Sequence, residues 1–159
     1  MVRVMGWKWP GAIPPILPLS REESFLDSPL DKGELEGIST FAAIQELAPA
    51  IQKVSQERVR DELTKIVMSG NPERGMNLLL ETGLLQHILP ELQEGVGVTQ
   101  NKHHIYTVFE HNIKSLQFAA DFEYGLPIRL AALLHDVGKP RTKRPKGDDY
   151  TFYAHEIVG

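Results

Sequence analysis

The stretch "LAALLHDVGKP", Leu130 to Pro140, decides how this chain is read. An unbroken run of small and branched apolar residues leads into His135 and Asp136, and Gly138 with Pro140 then interrupts any helix that carried it. Such a run predicts a buried helix ending at Gly138, which would hold the His-Asp doublet at a fixed place. Neighbours on a helix point about 100° apart, so both reach one ion only if it sits between those directions at the helix end. Further ligands must then come from elsewhere. A plainer explanation stays open, since a histidine at a helix C-terminus also satisfies terminal carbonyls.

Working outward, His111 stands 24 residues earlier in "HHIYTVFEHNIKSLQFAADF", where Ile105, Phe109, Ile113, Leu116 and Ala120 recur at helical spacing. His104, seven residues before His111, would share its helical face. The candidate ligand set is therefore His111, His135 and Asp136, with His104 and His155 in reserve. Imidazole and carboxylate suit a divalent metal ion of unspecified identity acting as a Lewis acid. Downstream, Lys139, Arg141, Lys143, Arg144 and Lys146 crowd one predicted loop, the simplest partner for which is an anionic substrate such as a phosphate ester. A merely solvated basic loop is the alternative.

Composition narrows the rest. The chain has 159 residues and no cysteine, which excludes disulfide scaffolds, thiolate zinc sites and cysteine nucleophiles. Its net charge of -4 gives no global reason to expect nucleic acid, so such binding would need a local patch. No run approaches the roughly 20 apolar residues of a membrane span, and prolines 10, 14, 15 and 18 interrupt any signal-like core. The expectation is a soluble, cytoplasmic protein.

Residues 1–37 hold five of the eleven prolines and show neither a helical nor a strand period, so they read as an irregular arm with apolar Trp7, Trp9, Ile16 and Leu17. From Ile38 the texture becomes helical. Phe41, Ile44, Leu47, Ala48 and Ile51 predict a first helix to about Lys53. Ser55 is an N-cap candidate for a second helix with an apolar stripe at Val59, Leu63, Ile66 and Val67. Asn71 and Pro72 open a third that Gly83 closes, and a short helix is expected around "LLQHILPEL". Nothing alternates at period two, so the fold class is all-α.

"YTVFEHNIKSL", "LAALLHDVGKP" and "FYAHEIVG", in that order, resemble the HD domain of bacterial tRNA nucleotidyltransferases and poly(A) polymerases of the CCA-adding type. The stretch "ELAPAIQKVSQERVRDELTKIVMSGNPERGMNLLLETGLLQHILPEL" looks like the helical RNA-binding segment of the same enzymes. The resemblance implies an arm at 1–37, an RNA-binding segment at 38–100 and a partial HD domain at 101–159. It also implies that His111, His135 and Asp136 ligate metal, and that His155 corresponds to a histidine near that site. The family's nucleotidyltransferase head is not matched, for the chain contains neither Gly-Gly nor Asp-x-Asp. Its last metal-ligating aspartate belongs to a helix beyond Gly159. The HD helices holding Leu130, Leu133 and Leu134 would therefore be partly uncovered unless a second copy, a partner chain or the arm covered them.

Three functional readings result. As part of a longer tRNA nucleotidyltransferase-like enzyme, the chain would bind a divalent metal and the phosphates of RNA, with tRNA as the implied partner. As an autonomous metal-dependent phosphohydrolase it would cut a nucleotide or an RNA-end phosphate such as a 2',3'-cyclic phosphate, with His135 and Asp136 catalytic and Lys139, Arg141, Lys143 and Arg144 gripping phosphate. As a binding module it would use Arg58, Arg60 and Lys65 on RNA. Glu57, Asp61 and Glu62 are interleaved with those three, a pattern that is also an ordinary solvated helix face. His87 and the aromatics Phe118, Phe122 and Tyr124 are assigned no site role, while His103 and His104 are candidates either to support the ligands or to serve as cap or loop residues.

Overall fold

The computed structural model describes residues 39–100 and 105–159. The arm expected at 1–37, together with His103 and His104, lies outside the described residues. The described part is helical apart from one small hairpin and an isolated bridge between Thr99 and Thr107. Among the described residues no helix is long and apolar enough to cross a membrane.

Helix α1 covers Thr40–Leu47 and is capped by the Ser39 hydroxyl, which accepts from the Ala42 N–H at 3.3 Å. It does not run on to Lys53 as expected. Pro49 lacks an N–H for the α ladder, and Ala48–Lys53 tightens into a 3-10 stretch. Its expected buried face is also largely open, for Leu47 is 65% exposed and only Ala48 is buried. Helix α2, Gln56–Met68, sets Val67 in the core with Leu63 and Ile66 against it; Ser55 occupies the N-cap without a side-chain bond. Asn71 accepts from the Arg74 N–H at 3.2 Å and opens α3, Pro72–Glu81, which ends before Gly83 in the left-handed region at φ 74°. The single short helix expected next is two turns, α4 (Leu85–Ile88) and α5 (Pro90–Gln93). They are separated at Leu89, whose backbone the following proline holds out of the helical region.

Helix α6, Val108–Asp121, begins later than its apolar spacing predicts. Thr107 accepts from the Glu110 N–H at 3.2 Å while Glu110 accepts from the Thr107 N–H at 2.8 Å, a reciprocal cap that leaves Ile105 outside and 86% exposed. Helix α7, Leu126–Leu134, starts on Pro127 and stops at Leu134, so His135 is its C-cap and 135–138 form a turn; the helix expected to reach Gly138 is four residues shorter. The basic segment is not a plain loop either. It contains a helical turn α8 (Lys139–Thr142) and strand β1 (Arg144–Lys146), paired antiparallel with β2 (Asp149–Thr151) through a two-residue turn led by Gly147 at φ 59°. A last turn, α9, spans His155–Val158.

One core joins the two helical segments. Val67, Met76, Leu79, Leu85 and Leu92 from the first pack with Phe109, Ile113, Leu116 and Leu133 from the second. Leu133 is wholly buried, while Leu130 and Leu134 are half-buried and pack against the same cluster. The seam also has a polar clasp. Arg129, 6% exposed, donates to the carbonyls of Val67 (3.0 Å) and Ser69 (2.8 Å) at the end of α2, to that of Ala120 (3.4 Å) in the last turn of α6 and to that of Tyr124 (2.7 Å) just after it. A guanidinium at two helix C-termini satisfies orphan carbonyls and the helix dipoles together.

Candidate metal centre

The α6–α7 packing, the most extensive between any two helices, decides where the doublet meets His111. The reciprocal cap at Thr107 fixes the start of α6, and burial of Asn112, Ile113 and Leu116 fixes its rotation. His111 is thereby turned toward the end of α7. There the buried Leu133 anchors the helix, and the turn after Leu134 presents His135 and Asp136.

His111 Nε2, His135 Nε2 and Asp136 Oδ2 form a nearly equilateral triangle. The imidazole nitrogens are 3.1 Å apart, and they stand 3.4 and 3.3 Å from the carboxylate oxygen. Two donors each about 2.1 Å from one ion, at angles between octahedral and tetrahedral, lie roughly 3.0–3.4 Å apart, so the triangle has the size of a coordination face. The tautomer agrees as well. His135 Nδ1 lies 2.9 Å from the Ala132 carbonyl and donates there, so Nε2 turns a proton toward Asp136 in the charged ring and a lone pair in the neutral one. Lone pairs converging on one point require a cation or a proton between them. The donor set therefore fits a divalent ion.

Asp136 is the hub. Only 3% exposed, it also accepts from the Lys139 ammonium at 2.6 Å on Oδ2 and faces His155 Nε2 at 3.4 Å on Oδ1. His155 resembles His135 in its fixing, with Nδ1 2.7 Å from the Phe152 carbonyl. Burial works against the Asp136 carboxylate, but hydrogen bonds from His135 and Lys139, with their charges, hold it well below the usual carboxylate range. The same contact with Asp136 raises His135 above the ordinary imidazole value, against the opposing effect of burial.

The other sequence candidates disperse. Lys139 joins the centre itself, held also by the Gln100 amide oxygen at 2.7 Å. Its place three residues after Asp136, one helical turn on, is a signal the sequence carries; nothing in the sequence points to Gln100. Arg141 forks onto Glu94 at 2.6 and 2.7 Å, Lys143 donates to Thr99, and Arg144 donates to the Lys143 carbonyl. Arg60 contacts Asp61 at 3.0 Å and Lys65 contacts Glu62 at 2.7 Å on the open face of α2. Arg58 and Lys65 stand at the rim of an apolar groove of about 630 Å³ between α2, α3 and α4, together with Asp61 and Glu62.

A helical domain that brings an early histidine to a His-Asp doublet over one cation-sized gap is of the HD class. Residues 108–159 match the HD domain profile, and residues 38–95 match the family described as "Probable RNA and SrmB- binding site of polymerase A". The chain belongs to the bacterial tRNA nucleotidyltransferase and poly(A) polymerase family, of which it carries the RNA-binding segment and HD region. It is 44% identical over 107 residues to an A-adding tRNA nucleotidyltransferase of Deinococcus radiodurans, covering 65% of this chain and 25% of that protein. A CC-adding tRNA nucleotidyltransferase of Thermus thermophilus is 38% identical over 66% of this chain and 25% of its own length. A multifunctional CCA protein of Neisseria gonorrhoeae is 43% identical over 65% and 25%. The chain thus spans about a quarter of the length of these relatives. No solved structure matches it.

Proposed function

We propose that the chain binds a divalent cation on His111, His135 and Asp136 and uses the centre to hold a phosphate of RNA, with tRNA the substrate class suggested by the names of its relatives. The observation that carries this reading is the triangle of 3.1–3.4 Å edges formed by the two imidazole nitrogens and the carboxylate oxygen. The ion supplies Lewis acidity toward a phosphate oxygen. The protein's own groups do the remaining work. Asp136 is kept ionised by His135 and Lys139 against the effect of burial, Lys139 offers a point charge to an anion, and His155 holds the second carboxylate oxygen. The RNA-binding segment would guide the RNA; Arg58, Arg60 and Lys65 are its candidate phosphate contacts.

A second reading, hydrolysis of a nucleotide or RNA-end phosphate, is favoured by the openness of the centre. His135 has 42% of its side chain exposed, so substrate and water have a path to the doublet. Here Asp136 would orient the water. Elemental analysis of protein purified without chelator or nickel affinity, beside the His135→Ala, Asp136→Ala double variant, tests the first reading. About one ion per chain, lost in the variant, supports it; equal content in both sinks it. Opening of a 2',3'-cyclic nucleotide to its 2'- or 3'-monophosphate by the wild type but not the variant would support the second.

A further inference from the structure

From the basic stretch after the doublet the metal centre takes Lys139, and the residues that follow it are left without a role. Residues 139–153, "KPRTKRPKGDDYTFY", hold five basic and two acidic residues, a local +3 in a chain of net -4, followed by three aromatic rings. They fold as α8, the β1–β2 hairpin and the turn into α9. Every residue of β1 is exposed, Tyr150 is 42% exposed and Tyr153 74% exposed. A two-stranded hairpin is marginal by itself in water, and large rings turned outward contribute nothing to a core.

The rings and cations are already arranged in pairs. Lys143 Nζ lies 4.0 Å from the centre of the Tyr150 ring, and Lys146 Nζ 5.9 Å from that of Tyr153, whose hydroxyl it also approaches at 3.4 Å. Flat aromatic surface alternating with positive charge is what single-stranded nucleic acid presents a match for: bases stack on the rings and phosphates meet the ammonium groups. A duplex does not fit that description, because its base faces are already stacked within. The hairpin also has a fixed relation to the metal centre. It leaves from Lys139, 2.6 Å from Asp136, and the chain returns at His155, 3.4 Å from the same carboxylate. Lys139 further lies 5.6 Å from the Phe152 ring, which ties the two ends together.

We infer that the β1–β2 hairpin, through Tyr150, Tyr153, Arg144 and Lys146, is a docking platform for single-stranded nucleic acid whose terminal phosphate it delivers to the His111, His135 and Asp136 centre. The delivery rests on the function proposed above; the docking does not.

Fluorescence anisotropy of the full chain with a 5'-labelled single-stranded RNA of about ten nucleotides, beside a duplex of equal length, tests it. The single strand should bind more tightly than the duplex. Tyr150→Ala, Tyr153→Ala should weaken single-strand binding by about tenfold or more, and the Tyr150→Phe, Tyr153→Phe pair should restore it. Arg144→Gln, Lys146→Gln should weaken binding and lower the salt slope by about two. In the His135→Ala, Asp136→Ala background, which lacks the ion, the Tyr150→Ala, Tyr153→Ala pair should still weaken single-strand binding, so failure of the centre and failure of the platform read out separately. Unchanged affinity in the alanine pair, equal affinity for duplex, or no RNA binding at all would overturn the proposal. So would binding to phosphatidylserine vesicles, but not RNA, that the same alanine pair abolishes.

Discussion

Two regions of this molecule carry charges at similar distances and use them differently. On α2, Arg60 sits 3.0 Å from Asp61 and Lys65 2.7 Å from Glu62, with all four side chains 59–71% exposed. At the end of α7, Asp136 has contacts of 2.6–3.4 Å to an ammonium and three imidazoles, with its side chain 5% exposed. Water and salt screen the first group, and such pairs contribute little. The second group is screened far less, so removing one member leaves the others uncompensated. Distance alone does not separate a site from a solvated surface; burial and convergence do.

The largest expected effect breaks the comparison if it fails. His135→Ala, Asp136→Ala should abolish bound divalent metal altogether, whereas Arg60→Ala, Lys65→Ala should leave it at the wild-type level. The affinity should also depend on pH with a defined sign. His135 holds its proton above the ordinary imidazole value in the metal-free protein, and a cation must displace that proton. Affinity should therefore fall as pH drops through that raised value, with proton uptake on release of the ion. Calorimetric titration with zinc in buffers of different ionisation enthalpy measures both, and a pH-independent affinity would exclude imidazole ligation.

Next in size is the clasp. Arg129→Met keeps much of the side-chain volume but removes donors to four carbonyls, two of which end α2. Hydrogen bonds from a charged group to buried acceptors predict a loss of about 3 kcal/mol in urea unfolding. An equal loss from Arg60→Met on the exposed face would erase the distinction between the regions.

Helix caps give a smaller effect with a pH signature. Thr107→Ala removes the hydroxyl that opens α6 and should cost about 1 kcal/mol. Glu110 is held below its usual range chiefly by the Thr107 N–H. Because its folded pKa is depressed, its contribution is present above the ordinary glutamate value and fades as pH falls through the lowered one. Glu110→Gln should flatten that acid limb, which unfolding curves at pH 3 to 6 would reveal.

What the sequence shows of this architecture is what depends on neighbours in the chain. Asn71 with Pro72, the apolar stripe of α2 and the run before His135 are local patterns, and the elements they predict are present. The meeting of His111 with the doublet was legible through the family resemblance of three ordered motifs, since spacing alone does not bring two helices together. Arg129 and Gln100 were not legible, because their partners lie up to 62 and 39 residues away and neither sits in a patterned motif. The hairpin escaped for a different reason. Its strands have three residues each, β1 is exposed throughout and no residue of β2 is buried, so no buried face imposes an alternation.

The smallest expected effect sharpens the comparison from the other side. Glu62→Gln removes the acid beside Lys65, whose pKa it raises by hydrogen bond and charge. Both groups lie on open surface, so the urea midpoint should not move measurably. The variant changes the charge balance of α2 without touching its packing, since Leu63, Ile66 and Val67 hold the helix on the core. If Arg58, Arg60 and Lys65 contact RNA phosphates, releasing Lys65 from Glu62 should strengthen RNA binding at low salt and steepen its salt dependence. If they are only a solvated face, affinity stays as it was, which leaves the proposed hairpin platform rather than α2 as the place to look for RNA contact.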